Sequence, residues 1–278
     1  LVQAFDATGR EIDRVATEIW YDNSAETTVA GGSLSGTTVW PAASGPYHLT
    51  GSLTIPAGAT LTIHPGTTVY LNSGVNLTVA NGGQLLAEGT ETAGIHFMRP
   101  PGVAASWGGL TLIGGPSSPE TRLAYVHLEG NGTIALHSSG GTLFLEHLTF
   151  GTTTFPYLAL DGSSFIVQDC VFPSATAYFE LVHGTGGIKA GGRGLFLRNF
   201  FGAALSTSGN YNDTLDFTGG NRPGQPIVQV IDNVFTSTGD DHLDLDGTDA
   251  WVEGNIFMHA HKNGSPDTAS GVSGGGDS

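Results

Sequence analysis

The sequence contains little of what several protein classes require. Cysteine occurs once, at Cys170, so no disulfide can form within the chain. Lysine and arginine together number nine against 25 acidic residues, which gives a formal net charge of −16. Because nucleic-acid backbones are bound through cationic surfaces, this composition argues against a nucleic-acid partner. An apolar run of about 18 residues, the minimum for a membrane-spanning helix, is also missing.

The residues that are abundant favour short strands and tight turns. Glycine occurs 43 times and charged residues make up only 12% of the chain. Threonine, serine, valine and leucine are frequent, and they suit strands better than helices. From residue 47 onward, alternating runs of three to five residues, such as Thr60–Ile63, are separated by Pro-Ala-Gly, His-Pro-Gly or Asn-Gly-Gly turns. The sequence therefore predicts an all-β protein.

Phenylalanine recurs at a nearly fixed interval in the second half of the chain. Successive spacings of 22, 29, 34 and 22 residues separate Phe150, Phe172, Phe201, Phe235 and Phe257. A period in the low twenties, built from short apolar alternations, is typical of a β-solenoid. The single cysteine precedes one of these phenylalanines by two residues, which predicts a small buried hydrophobe at that position.

Two sequence patterns resemble a known family. The stretch from Leu53 to Ile63, with Trp107-Gly-Gly-Leu110, resembles the opening coils of right-handed parallel β-helix proteins. The Asn-x-Phe repeats ending at Phe201, Phe235 and Phe257 resemble the stacked asparagine turns of the pectate-lyase-like superfamily. The resemblance implies a right-handed, single-stranded parallel β-helix of about 22 residues per coil, with a short β-rich N-terminal segment. Because this superfamily includes lyases, hydrolases, epimerases and adhesins, the resemblance leaves the reaction open.

We expect two parts in the chain. Residues 1–45 read as the end of a preceding sandwich-like module followed by a linker, and residues 46–278 read as the β-helix. The last residues contain no polar capping segment, and solenoid ends normally need a cap. Further coils or self-association through this end are therefore expected.

The strands that follow three of the phenylalanines each place one acid between two apolar residues. Counting from the phenylalanines aligns Glu180, Asp216 and Asp244 in one outward column, with about 4.8 Å between coils. The remaining acids expected to complete a metal shell are Asp161, Asp240, Asp241 and Asp246. Carboxylates so close together repel one another unless a cation compensates, and oxygen ligands of this kind suit calcium. The alternatives are acids that cap turns on a solvated face, and a bare catalytic carboxylate pair.

The longer spacings insert loops beside this column, and loops on one face of a solenoid often build a binding groove. They carry scarce basic residues, with another one coil later, and tyrosines border the column. The candidate substrate-binding residues are Tyr157, Tyr178, Arg193, Tyr211 and Lys262. Lys189 and Arg222 are candidate bases. His242 is a further catalytic candidate, because an outward His242 would lie near Asp244 and its pKa would be raised.

The resemblance implies a function for these residues. Related β-helix lyases use calcium to bind a uronate carboxylate, and a lysine or arginine then removes the proton from the adjacent carbon. By this analogy the chain is a secreted or cell-surface bacterial lyase acting on a uronate-containing polysaccharide, with Lys189 or Arg222 as the base. A glycoside hydrolase using Asp244 with Asp216 or Asp241 is one alternative. A non-catalytic carbohydrate-binding or structural segment of a larger surface protein is the other.

Overall fold

The computed structural model describes residues 2–15, 22, 24–176, 180–205, 212–219, 226–260 and 269–275. In this part of the chain, strands β1 (Val2–Phe5) and β2 (Glu11–Val15) pair in an antiparallel hairpin. A 3-10 turn, Ala42–Ser44, is the one helical element of the described residues. No described helix has the length and apolar character needed to cross a membrane.

Three parallel sheets contain all other described strands. Sheet I consists of β4 (Gly32–Ser33), β7 (Leu53–Ile55), β10 (Leu77–Val79), β13 (Leu110–Ile113), β16 (Leu136–Ser139), β19 (Leu158–Asp161), β22 (Val182–Thr185), β25 (Leu215–Thr218), β28 (Leu243–Asp244) and β31 (Val272–Ser273). Sheet II consists of β5 (Thr37–Trp40), β8 (Thr60–Ile63), β11 (Gln84–Glu88), β14 (Thr121–Ala124), β17 (Thr142–Glu146), β20 (Ser164–Gln168), β23 (Gly194–Leu197), β26 (Val228–Ile231) and β29 (Ala250–Glu253). Sheet III consists of β3 (Thr27–Val29), β6 (Tyr47–Leu49), β9 (Thr68–Leu71), β12 (Ile95–Met98), β15 (Val126–Leu128), β18 (Thr149–Phe150), β21 (Val171–Phe172), β24 (Phe200–Phe201), β27 (Val234–Phe235) and β30 (Ile256–Phe257).

Each coil up to the one that contains β29 contributes one strand to each sheet, and each of these strands pairs with the equivalent strand of the neighbouring coil. The last described coil adds only β30 and β31. This arrangement is the right-handed parallel β-helix predicted from the sequence. Strand alternation sends one set of side chains inward, as in sheet I, where Leu53, Leu77 and Leu110 align in register and are buried. The core is therefore a long apolar column inside the coils.

The repeating phenylalanines form the clearest part of this core. Rings of consecutive coils stack with centroid distances of 5.2, 4.7, 4.6 and 4.9 Å from Phe150 through Phe172, Phe201 and Phe235 to Phe257. Offset stacking at such distances is favourable beyond simple burial. The spacing read from the sequence thus marks the inward position of sheet III.

Asparagines form a second stack at the corner between sheets II and III. Asn233 donates its side-chain amide to Asn255 Oδ1 at 2.9 Å, and Asn199 donates in the same way to Asn233 Oδ1 at 2.9 Å. The backbone N–H of Cys170 donates to Asn199 Oδ1, which places the cysteine at the same corner one coil earlier. Cys170 is buried, as the sequence predicted.

The β-helix begins earlier than the predicted boundary at residue 46. Strands β3, β4 and β5 pair in parallel with β6, β7 and β8, so residues 27–40 form the first coil. The sequence did not reveal this coil for two reasons. Its strands are only two to four residues long, and its Gly- and Ser-rich composition leaves little alternation of apolar and polar residues. Residues 1–45 were predicted to be a separate module with a linker. Within this segment, the β1–β2 hairpin is the part with strands that lie outside the coils.

Candidate functional site

Acidic side chains gather on the outer face of sheet I near its C-terminal end. Asp216 on β25 lies opposite Asp244 on β28, between the inward residues Leu215 and Phe217. Adjacent strands lie about 4.8 Å apart, so the two carboxylates project side by side. The next residue of this column is His183 on β22, opposite Asp216.

His183 forms an ion pair with this column. Its Nδ1 lies 3.2 Å from Asp216 Oδ2. The Asp216 carboxylate at this distance raises the pKa of His183, burial opposes this, and the charges of Glu180 and Asp161 add to the increase. Across the described residues, no lysine or arginine lies within ion-pair distance of Asp216 or Asp244.

The turns that precede β25 and β28 add further carboxyl groups. Asp240 and Asp241 are 7% and 9% exposed, and Asp213 is partly buried beside them. Asp213 Oδ1 accepts a hydrogen bond of 2.9 Å from the backbone N–H of Asp241, whose own carboxylate accepts one from the backbone N–H of Ser270. We call Asp213, Asp216, Asp240, Asp241, Asp244 and Asp246 the acid cluster.

The acid cluster holds two carboxyl groups with an increased affinity for protons. Burial raises the pKa of Asp213 to about 8, the Asp241 N–H opposes this, and the charges of neighbouring aspartates add to it. Burial also raises the pKa of Asp244 to about 7, with contributions from Asp246, Asp216 and Asp241. In addition, Asp244 Oδ1 is buried without a hydrogen-bond partner among the described residues. Protons or a cation must therefore compensate the charge here.

These pKa values predict that the calcium-free protein loses stability as the pH rises. The unfolded chain releases the protons of Asp213 and Asp244 near pH 4, whereas the folded state keeps them until about pH 7 to 8. Between these limits the folded state binds more protons, so raising the pH favours unfolding. We expect the melting temperature in EDTA to fall from about pH 5 to about pH 8, and Asp213→Asn to flatten this slope. A slope equally steep in Asp213→Asn would show that other groups cause it.

One predicted member of the column is displaced. Glu180 lies two residues before β22, and His183 occupies the register position that was assigned to it. The prediction placed the strand seven residues after Phe172, but β22 begins ten residues after it, at Val182. The turn is three residues longer than predicted, which shifts every side chain of the strand.

His242 does not point outward, contrary to the prediction. It is fully buried between Phe235 and Phe257, and its Nε2 donates to the Met258 carbonyl oxygen at 2.8 Å. Burial lowers the pKa of His242 instead of raising it. Because β28 starts only at Leu243, the strand alternation used for the prediction does not extend to His242.

One of the tyrosines predicted to bind substrate, Tyr157, is wrongly assigned. Tyr157 is fully buried and packs against Phe150 and Phe172, so its ring cannot stack on a bound sugar. Burial raises its pKa to about 12. Three other predicted substrate-binding residues, Tyr178, Tyr211 and Lys262, lie outside the described residues, and so does the predicted base Arg222.

Lys189 and Arg193 follow β22, so they lie at the edge of sheet I opposite the turns that carry Asp213 and Asp241. Lys189 Nζ donates to Thr142 Oγ1 at 2.9 Å, two coils toward the N-terminus, and burial lowers the pKa of Lys189. Arg193 is exposed. The structure therefore does not bring the predicted base Lys189 to the acid cluster.

Sequence reasoning missed Asp213 and His183. Asp213 stands two residues before Leu215, and Asp241 stands two residues before Leu243, so both occupy the same position before their strands. Aligning the coils on the Leu-Asp pairs would have revealed this second column. His183 could be found only with the true length of the preceding turn.

A different set of residues meets the geometric requirement for a metal ion. Among the described residues, Glu146, His147 and Asp169 bring three ligand atoms within 4.8 Å of one another, and the acid cluster contains no such set. Both oxygens of Asp169 are already held by Arg198, at 2.8 and 2.7 Å. In the acid cluster the donor atoms suit calcium, but three protein carboxylates do not converge on one point.

The comparisons with known proteins concern mainly the first half of the chain. Residues 32–142 match the family model described as pectate-lyase like beta helix domain. No curated protein and no solved structure gave a significant match. The match ends before the acid cluster, so it supports the fold and not the chemistry of the site. The chain is thus a right-handed parallel β-helix, and its residues 32–142 are similar to the pectate-lyase like beta helix domain.

Proposed function

We propose that the acid cluster binds a uronate-containing polysaccharide through calcium, and that the chain cleaves this polymer by β-elimination. The observation that carries the proposal is the pair Asp216 and Asp244, side by side on adjacent strands with no described lysine or arginine to compensate their charge. Carboxylate oxygens are ligands that calcium prefers. A divalent cation on this pair would attract an acidic polymer to a protein whose net charge is −16.

Two protein carboxylates alone are a weak calcium site. Calcium takes six to eight oxygen ligands, and three carboxylates of the cluster do not converge. We therefore assign part of the shell to the polymer, whose uronate carboxylate would bind opposite Asp216 and Asp244. Calcium and polymer should then each increase the affinity of the other, because such coupling is reciprocal.

Calcium would supply positive charge that makes the proton on the carbon next to the uronate carboxylate more acidic. A base of the chain then takes this proton, a carbon–carbon double bond forms, and the glycosidic oxygen leaves and acquires a proton. Among the described residues we assign this step to His183, whose Nδ1 lies 3.2 Å from Asp216 Oδ2. Arg222, outside the described residues, remains the alternative base.

The assay for this reaction is the ultraviolet absorbance of unsaturated uronate products over a panel of uronate polysaccharides, with calcium and with EDTA. We expect a calcium-dependent rise, and His183→Ala should lower the rate by about 100-fold or more while polymer binding is retained. Lys189→Ala, whose side chain contacts Thr142, is the matched control and should keep full activity. Full activity in His183→Ala would transfer the role of base to Arg222.

A glycoside hydrolase is the second candidate, and the raised pKa of Asp244 favours it. A carboxyl group with a pKa of about 7 can donate a proton to a leaving group, and Asp216 lies beside it. Carboxyls about 5 Å apart are typical of retaining enzymes. New reducing ends without ultraviolet absorbance would support hydrolysis and contradict the lyase. Binding without either product would leave a carbohydrate-binding function.

A further inference from the structure

A groove lies on the outer face of sheet III, in the N-terminal half of the β-helix. It has a volume of about 690 Å³ and belongs to a different sheet and different coils from the acid cluster. The lining residues that bear on its chemistry are Glu91, His96, Tyr125, His127, Glu129 and His147. Its volume lies within the range of about 300 to 1,000 Å³ that is usual for small-molecule sites.

Two histidines stand side by side on the floor of the groove. His96 on β12 lies in register with His127 on β15, and their ring centroids are 5.7 Å apart. His127 Nδ1 is 2.8 Å from Thr149 Oγ1, and its Nε2 is 3.4 Å from Glu129 Oε2. Burial, together with the charge of His127, lowers the pKa of His96 to about 4, so this imidazole is neutral near pH 7.

One wall of the groove comes from the corner between sheets II and III. Tyr125 and His147 occupy equivalent corner positions of consecutive coils, with φ angles of 50° and 51°, and their rings stack at 4.4 Å. The same left-handed conformation recurs at this corner in the later coils, at Asp169, Arg198, Asp232 and Gly254, so it belongs to the fold and not to the groove. The stacked rings of Tyr125 and His147 distinguish this wall.

The chemistry of the groove selects among ligands. Glu91 and Glu129 line it, and none of the described residues that line it is a lysine or arginine, so an anionic polymer is disfavoured. A metal ion is also disfavoured, because His96, His127 and Glu129 are not among the described sets with converging ligand atoms. Imidazole, carboxylate and hydroxyl groups beside an aromatic pair match a ligand with many hydroxyl groups and apolar C–H faces.

We propose that this groove binds a neutral saccharide, independently of the acid cluster. A chain that holds an acidic polymer on sheet I would then hold a neutral glycan on sheet III. The aromatic pair Tyr125 and His147 would contact the sugar rings, while His127 and Glu129 would bind hydroxyl groups.

Affinity electrophoresis in EDTA tests this proposal, with a soluble β-glucan, xylan, galactomannan and galactan in separate native gels and polygalacturonate as the acidic comparison. We expect at least one neutral polymer to retard the protein, and Tyr125→Gly to weaken this binding at least tenfold. Glycine adopts the left-handed conformation freely, so Tyr125→Gly should fold with an unchanged or higher melting temperature. His127→Ala should weaken binding as well.

Asp232→Gly is the matched control, since it makes the same change at the same corner outside the groove. It should bind like the unaltered protein, and so should Asp216→Asn/Asp244→Asn, which removes only the proposed calcium pair. The proposal is wrong if no neutral polymer retards the protein, or if Tyr125→Gly and His127→Ala bind normally. Loss of binding in Asp216→Asn/Asp244→Asn would show that the acid cluster is the binding site.

Discussion

Replacing Asp216 and Asp244 together by asparagine is expected to abolish calcium-dependent polymer binding and turnover. Both carboxylates are removed from the pair, while the amides keep the shape of the side chains. Since calcium affinity depends strongly on the number of charged ligands, we expect it to fall by about two orders of magnitude or more. Calorimetric titration of calcium in the presence of a uronate trisaccharide measures this loss.

The double variant should nevertheless fold well. Burial, and then the charges of neighbouring aspartates, raise the pKa of Asp244, so the amides remove a buried charge and its repulsion, and the melting temperature in EDTA should be unchanged or higher. Asp161→Asn is the matched control, because Asp161 lies on the same outer face but is paired with His137 at 2.9 Å and Thr185 at 2.9 Å. Calcium-dependent binding that persists in the double variant would place the cation elsewhere.

The second large effect concerns the phenylalanine stack. Phe201→Ala should reduce the free energy of unfolding by about 3 to 5 kcal/mol, because a fully buried ring is lost from between Phe172 and Phe235. Its neighbour Phe200 points outward and is 44% exposed, so Phe200→Ala should change stability by less than about 1 kcal/mol. Urea denaturation of both variants gives the comparison.

Equal destabilisation by the two substitutions would contradict the register of sheet III. Because coils of a solenoid contact mainly their neighbours, Phe201→Ala should act first on the central coils. Hydrogen exchange should therefore increase in β21, β24 and β27 before it increases in the N-terminal coils.

The fold could be predicted because the apolar side chains repeat in every coil. A strand places alternate residues inside, so Phe172, Phe201 and Phe235 mark the same inward position although the turns between them differ in length. Asn199, Asn233 and Asn255 are equally informative, since each satisfies the backbone of the coil before it. Burial and hydrogen bonding fix these positions, and both leave a pattern in the sequence.

The candidate site could be predicted only in part, because it depends on the turns. Asp216 and Asp244 follow inward leucines directly, and their pairing was correctly expected. Glu180 was misplaced because a turn of irregular length precedes β22, and a shift of register sends every side chain elsewhere. His242 was misplaced because it sits in a turn, where alternation gives no information.

The sheet III groove left no recognisable pattern in the sequence. Tyr125 and His147 are one coil of 22 residues apart, but His96 and His127 are 31 residues apart, and the four side chains meet only when three coils are stacked in register. Their spacing contains no metal-binding motif. The residues of such a site are brought together by the register of paired strands, and this register cannot be determined from a single sequence.

Calcium on the Asp216–Asp244 pair is most directly tested by anomalous diffraction from crystals grown with calcium and a uronate trisaccharide. We expect a peak within about 2.3 to 2.6 Å of oxygens from both aspartates, with a carboxylate of the sugar in the same shell. A peak at Glu146, His147 and Asp169 instead, or a sugar bound to the acid cluster without any cation, would contradict the proposed function.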